Sequence, residues 1–330
     1  MFRGRPRRDR TLLHRLPELR LRSGLATGVT MAAFVFLGSG CAMNVAHRHP
    51  PQSVLLPCDQ EACLRVVSWN VHGLPFHSKT SERMRRISAK ITEQQPDVVL
   101  LQEVWLGRFR NLLARTLEPD YQIVYDPRWV TGWPRGGLVM FVRHGSGWRV
   151  LTSAFQRYEA SAPWYRLTEF DGVGGKGILT TTLTSGSLSL AVVDTHLQSQ
   201  YKGKPYLCVR SGQIMELSQL LEREYPSTPV LIGGDFNTDA KEKLYSSQLS
   251  KVGNDLTEEE RKDCQCGTNF GDSGTWPEWI DYLLVRNWKV RATVRRIEND
   301  FSDSPYSDHD GLLMRLLYDG TSLRAGEVPK

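Results

Sequence analysis

The 330-residue chain contains no apolar run of the roughly 18 residues that a membrane-spanning helix requires, which excludes a helical membrane domain. Compositional bias is lacking too. The 28 glycines and 17 prolines follow no period, which excludes a collagen-like chain, and 40% hydrophobic residues exclude a chain disordered throughout. There is no internal repeat. Beyond residue 40 there is also no surplus of positive charge. Eight of the 42 Lys and Arg residues but only two of the 36 acids, Asp9 and Glu18, lie in residues 1–40, leaving 34 of each sign in the remainder. The formal charge of +6 therefore belongs to the N-terminal segment, and the rest has no global field to draw in a polyanion, which weighs against a nucleic-acid partner. Cysteine is scarce. Cys264 and Cys266 have no second His/Cys pair nearby, which argues against zinc.

What is present begins with an Arg-rich stretch, an apolar run from Leu25 to Leu37, and Gly38-Ser39-Gly40 before Cys41. A basic region, a short apolar region and a small-residue exit are the pattern of a secretory signal. The small residues before Cys41 resemble a bacterial lipobox, in which that Cys is lipidated, although Leu37 stands four residues before it instead of three. The expectation is export to the cell envelope, lipid-anchored through Cys41, or secretion. Residues 1–40 then form the signal, 41–62 a Pro-containing tether, 63–320 a catalytic-type domain, and 321–330 a tail. In an oxidising compartment the five cysteines after Cys41 allow one or two disulfides, with Cys58–Cys63 a local candidate, and leave one thiol over.

Within the domain, β-branched runs alternate with helical periodicity. Strands are expected at Leu64–Trp69, Val98–Gln102, Leu138–Arg143, Gly177–Leu183, Leu188–Thr195, Val230–Gly233, Ile280–Val285 and Leu312–Leu317. Helices are expected at Thr80–Gln95, Arg108–Leu117 and Leu207–Glu224. This mixture points to an α/β domain of mixed sheets covered by helices. Polar residues recur at the strand ends: Asn70, Glu103, His196, Asp235, Asn237 and Asp281. Loops leaving a rigid sheet are where catalytic groups collect.

Each of these residues has an ordinary explanation alone: a turn amide, a solvated strand end, a structural histidine. Together with Asp308 and His309 they form a chemical inventory. Glu103, Asn70 and Asp308 are hard oxygen ligands suited to Mg²⁺, or Mn²⁺ in its place. His196 and His309 can supply a base and a phosphate donor, and Asp281 and Asp308 can orient His309. Asp235 and Asn237, two apart, face the same way in an extended segment. Hydrolysis of a phosphate ester needs such a set.

The ordered motifs Ser68-Trp69-Asn70, Leu101-Gln102-Glu103, Asp194-Thr195-His196-Leu197, Gly233-Gly234-Asp235-Phe236-Asn237, Trp279-Ile280-Asp281-Tyr282 and Ser307-Asp308-His309 resemble the endonuclease/exonuclease/phosphatase superfamily over Leu64 to Leu317. The resemblance implies a four-layer α/β sandwich, with two mixed β-sheets packed face to face, helices outside, and the site at one edge. It implies that Asn70, Glu103 and Asp308 lie at the metal, that Asp235 and Asn237 flank the scissile phosphate, and that His309 is a base or phosphate contact oriented by Asp281. His196 is then the second histidine, which apurinic-site endonucleases usually lack.

Thr195-His196-Leu197-Gln198-Ser199, Asn70-Val71-His72-Gly73-Leu74-Pro75, Glu103-Val104-Trp105 and Gly175-Lys176-Gly177-Ile178 are similar to segments of neutral sphingomyelinases. The resemblance implies a monomeric, Mg²⁺-dependent phosphodiesterase acting on a phospholipid head group at a membrane surface. The stretch Arg128–Trp133, with Trp164-Tyr165, is either a lipid-facing loop or one packed on the sandwich. A secreted nuclease resembling pancreatic deoxyribonuclease and a phosphoinositide-type phosphatase are the alternatives, and a non-catalytic lipoprotein is a third of a different class.

Overall fold

Strand alternation sorts the apolar side chains into two layers. The computed structural model describes residues 63–318 except 75–78, 127, 129–135, 164, 166–170, 172–173, 202–205, 265, 271–276 and 300–304. The expected signal, lipid anchor, tether and tail lie outside the described residues, as do Trp129, Trp133 and Trp164.

One sheet contains β1 (Cys63–Asn70), β2 (Val98–Gln102), β3 (Tyr121–Val124), β4 (Val139–Arg143), β11 (Val290–Ile297) and β12 (Gly311–Tyr318). The other contains β5 (Arg149–Arg157), β6 (Gly177–Ser185), β7 (Leu188–His196), β8 (Val230–Asp235), β9 (Asn254–Asp255) and β10 (Asp281–Arg286). Their orders are β11-β12-β1-β2-β4-β3 and β5-β6-β7-β8-β10-β9. Each sheet has one parallel pair at its centre, β1/β2 or β7/β8, between antiparallel neighbours. The two sheets thus repeat one pairing pattern that the sequence does not show as a repeat.

Leu64, Val66, Val98, Leu100, Met140 and Val142 belong to the core that includes Val192, Ile232 and Leu283 of the second sheet. Their alternating neighbours Val67, Trp69, Val99, Leu101, Val139 and Phe141 pack with the helices α1 (Thr80–Gln94) and α2 (Gly107–Leu117). Met84, Ile87 and Ile91 of α1 are fully buried, each contributing about 1.5–3 kcal/mol of hydrophobic burial. On the far side α3 (Leu207–Glu224) inserts Ile214, Leu217 and Leu221 into the first core. The result is the expected four-layer α/β sandwich. Short helices α4 (Lys243–Ser247) and α5 (Glu258–Cys264) and a 3₁₀ turn at Leu249–Lys251 complete the described elements.

The sheets approach closely near one edge. A Cβ on Gly233 would lie 2.5 Å from Leu100 Cδ1, across the interface. Gly234 has φ of 143°, and a Cβ there would lie 1.9 Å from the Thr195 carbonyl oxygen, so β8 admits only glycine just before Asp235. Among the described cysteines, Cys264 and Cys266 form a disulfide, Cys63 is disulfide-bonded, and Cys208 is a free exposed thiol. The expected partner Cys58 lies outside the described residues.

Candidate active site

The parallel pairs bring strand C-termini side by side. Asn70 stands opposite Gln102, and His196 opposite Asp235. Antiparallel β10 enters beside β8 and sets Asp281 opposite Asp235. The Asn70 amide then spans the gap between sheets. Its Nδ2 donates to Asp235 Oδ2 at 2.9 Å and Glu103 Oε1 at 3.2 Å, and lies 3.4 Å from His309 Nε2. Its Oδ1 accepts from the His72 backbone N–H at 3.0 Å. Four of the expected residues therefore meet at one amide group.

His309 is clamped from behind. Its Nδ1 lies 2.8 Å from Asp281 Oδ2, and Nε2 is 3.7 Å from Asp235 Oδ2. Burial acts to lower the His309 pKa, but Asp281, Asp235 and Asp308 hold it well above the usual imidazole value. Asp235 is the converse. Burial acts to raise its pKa, and the charges of His309, His196 and Lys176 pull it below the ordinary carboxylate range. Asp281 is raised by burial and by Asp235 despite the opposing His309.

Asp308 was expected beside the metal and as a second partner of His309. It pairs instead with His72 Nδ1 at 2.5 Å, and accepts from Ser307 Oγ at 3.2 Å. Burial acts against its charge, yet His309 and His72 bring its pKa down to about 2. His72, which sequence reasoning had not placed in the site, has a raised pKa: burial lowers it, and the Asp308 hydrogen bond and charge outweigh that. Asn237 is turned toward β7, its Nδ2 donating to the Leu197 carbonyl at 3.1 Å and its N–H to Asp235 Oδ1 at 2.8 Å.

Lys176 also enters the site, 3% exposed. Its Nζ lies 2.7 Å from His196 Nε2 and 3.1 Å from Asp171 Oδ2. The same His196 Nε2 lies 3.4 Å from Asp235 Oδ2, so Lys176, His196 and Asp235 stand in one row. Trp105 packs its ring near His196, with centroids 6.0 Å apart, and its Nε1 lies 3.4 Å from Glu103 Oε2. The resemblance of Gly175-Lys176-Gly177 to a sphingomyelinase segment was the available signal for Lys176. The Asn70–Pro75 stretch carries a like resemblance and contains His72, but it assigned that residue no role.

The backbone stores strain here. His72, Glu103 and Asn237 adopt φ of 47°, 61° and 47°, a conformation that costs a non-glycine residue about 1–3 kcal/mol. Such residues persist where the surroundings over-determine them, and functional sites concentrate them.

The donor atoms fit a divalent cation. Carboxylate oxygens of Glu103 and Asp235 both lie within hydrogen-bond distance of Asn70 Nδ2, and one or two carboxylates completed by water is the set Mg²⁺ prefers. Asp235, Asp281 and His309 also offer ligand atoms all within 4.8 Å of one another, so the edge carries a candidate acidic/His metal site.

The chain matches the Endonuclease/Exonuclease/phosphatase family over residues 67–309, and it belongs to that family. It is 33% identical over 184 residues to an inositol phosphosphingolipids phospholipase C of Schizosaccharomyces pombe. It is 29% identical over 178 residues to human sphingomyelin phosphodiesterase 2. Each alignment covers 53% of this chain and 41% of the relative, so the match spans well under half the length of these curated proteins. Among solved structures, a sphingomyelinase C from Streptomyces griseocarneus is similar in fold, with a TM-score of 0.59, 20% identity, and coverage of 77% of this chain and 99% of that one.

Proposed function

We propose that the protein is a Mg²⁺-dependent phosphodiesterase that removes the head group of a phospholipid, in the manner of a sphingomyelinase C. The observation that carries the phosphodiesterase reading is the convergence of Glu103, Asp235 and His309 on the Asn70 amide at the edge between two rigid sheets. The substrate class is supported by the names of the yeast and human relatives and by the lack of a global positive field beyond residue 40.

Asn70 and Glu103 would hold the ion, which supplies positive charge to neutralise the phosphate oxygens and the leaving oxygen. Asp235 orients the attacking water and takes its proton as the oxygen–phosphorus bond forms. The bond from phosphorus to the lipid oxygen breaks, and the leaving alkoxide takes a proton from solvent, to which Asp235 returns the one it took, giving a lipid alcohol and a phosphorylated head group. His309 is held charged between three carboxylates, which suits a phosphate contact better than a base. Asp281 fixes its ring, as a carboxylate does in a triad. His196 and Lys176 brace Asp235 from the β7 side. Asn237 steadies Asp235 through its backbone N–H, while its side-chain amide donates to the Leu197 carbonyl.

A panel of sphingomyelin, phosphatidylcholine, a phosphoinositide and supercoiled DNA, with and without Mg²⁺, tests this reading. Release of a phosphorylated head group, quenched by chelator, is the expected result. Plasmid nicking with intact lipids would replace it with a nuclease, and inorganic phosphate as product with a phosphatase. Residues 1–40 are proposed to direct the protein to the cell envelope as a monomer held at a membrane surface through lipidated Cys41. Fatty-acid labelling that survives Cys41→Ala would refute the anchor.

A further inference from the structure

Phosphodiester cleavage at this edge requires donors for the phosphate oxygens beyond those already assigned, and the structure offers one on a segment outside the family motifs quoted above. We propose that Asn269 is a phosphate-contacting catalytic residue. The inference rests on the phosphodiesterase reading of the site and not on the lipid reading.

Asn269 Nδ2 lies 2.6 Å from His309 Nε2, the ring nitrogen that faces Asp235. Asn269 therefore stands with Asn70 and Asp235 around the one ring nitrogen of His309 that Asp281 does not hold. The amide accommodates both ring states: beside a neutral ring it donates, and beside a charged ring it turns its oxygen inward and its NH₂ outward.

Its backbone is held on two sides. Asn269 forms β-bridges with both Glu278 and His309. The flanking residues extend the clamp: Thr268 Oγ1 accepts from the Ile280 and Asp281 N–H groups at 3.2 Å each, and Asp310 N–H donates to the Thr268 carbonyl at 2.8 Å. Phe270 N–H donates to the Asp308 carbonyl at 3.0 Å. Thus one short segment ties the start of β10, which carries Asp281, to the loop that carries His309. Just upstream, the Cys264–Cys266 disulfide closes the chain before this clamp. Such fixing is what preorganised donors in an active site require.

Exposure completes the argument. Asp235, Asp281 and His309 are 1–3% exposed, whereas Asn269 and Glu103 are half-buried. Of the groups around Asn70 and His309, these two are the ones that solvent reaches. Glu103 serves a cation there. Asn269 is the neutral donor.

The test uses the full chain with bis(4-nitrophenyl) phosphate, a generic diester that is independent of any lipid preference. Asn269→Ala is expected to lower kcat by about 10²-fold, as loss of an oxyanion donor does. Asn269→Asp has the same shape but adds an acceptor and a negative charge, so its kcat is expected to fall further than that of the Ala variant. A merely structural amide gives the opposite ranking, with the isosteric Asp milder than Ala, and that ranking or unchanged kcat in both variants would overturn the proposal. Binding of inorganic phosphate, followed by calorimetry in the presence of Mg²⁺, should weaken in the same order. If sphingomyelin is not cleaved but the generic diester is, the lipid reading fails while Asn269 is still judged by its variants. If no diester is cleaved, phosphate affinity decides, and equal or undetectable binding in wild type and variants refutes the assignment.

Discussion

Asp194 and Asp235 lie on neighbouring parallel strands, two residues apart in register, and both are essentially without exposed surface. They behave oppositely. Asp194 sits on the seam between the sheets, where Gln102 Nε2 donates to its Oδ1 at 2.7 Å. Burial pushes its pKa well above the ordinary value, and the Gln102 and Thr195 hydrogen bonds do not offset that. Its Oδ2 has no partner among the described residues, so nothing there compensates the carboxylate for burial. Asp235 is equally dry but lies among His196, His309 and Lys176, and stays ionised. Burial therefore does not make a carboxylate functional. The cations arranged around it do, and they stand at the edge and not at the seam.

The contrast breaks most sharply on amide substitution. Asp235→Asn should lower phosphodiester turnover by about 10³-fold, within the range for loss of a proton-transfer group, while the folded state survives. Steady-state kinetics paired with a thermal melt would show this, and near-normal turnover would remove Asp235 from the mechanism. Glu103→Gln comes next. Losing the carboxylate on the Asn70 amide should cost on the order of 10² in activity, with a matching loss of Mg²⁺ affinity by calorimetry. Activity lost at unchanged Mg²⁺ affinity would mean that Glu103 does not hold the ion.

At the seam the ranking inverts. Asp194→Asn keeps an acceptor for Gln102 Nε2 and should leave turnover intact, whereas Asp194→Ala strands that donor and should cost about 1–3 kcal/mol of stability. Urea unfolding of the two variants separates them, and equal destabilisation would show that the acceptor at residue 194 is not what holds Gln102.

How far these differences could be read beforehand depends on what kind of signal each residue leaves. The central strands were legible because Val98–Gln102 or Val230–Asp235 are buried on both faces and read as continuous apolar runs. The β5 strand was not, since Arg149–Arg157 is an edge strand with a mostly exposed pattern and no apolar alternation to mark it. β11 and β3 were passed over as well, and both are edge strands. At the site, Asn70, Glu103, Asp235, Asp281 and His309 were legible because they stand at or beside strand ends in a familiar order. Asn269, on an isolated bridge, and His72, in a left-handed turn, carry no periodicity, and their partners lie 40 and 236 residues away in sequence. Asp308 illustrates the residual ambiguity. Between Ser307 and His309 the sequence offers two partners, and only the turn at His72 decides which one it takes.

That last pair makes the smallest and most specific prediction. The folded-state pKa of Asp308 is depressed from 3.8 to about 2, so the group contributes stability that is complete above pH 3.8 and is lost as pH falls through about 2. His72 is shifted the other way, so its contribution is complete below 6.5 and fades as pH rises through its raised value. The pair is therefore most stabilising in weak acid, between those limits. A shift of this size in a side chain one-fifth exposed corresponds to about 1–2 kcal/mol. Asp308→Asn should flatten the acid limb of stability by that amount while leaving the limb above neutrality to His309, whose pKa is also raised. Urea unfolding near pH 5 and near pH 2.5 measures the difference. If the variant keeps the wild-type acid slope, the slope belongs to Asp235, the other depressed carboxylate at this edge, and the seam-versus-edge contrast would then rest on a single residue.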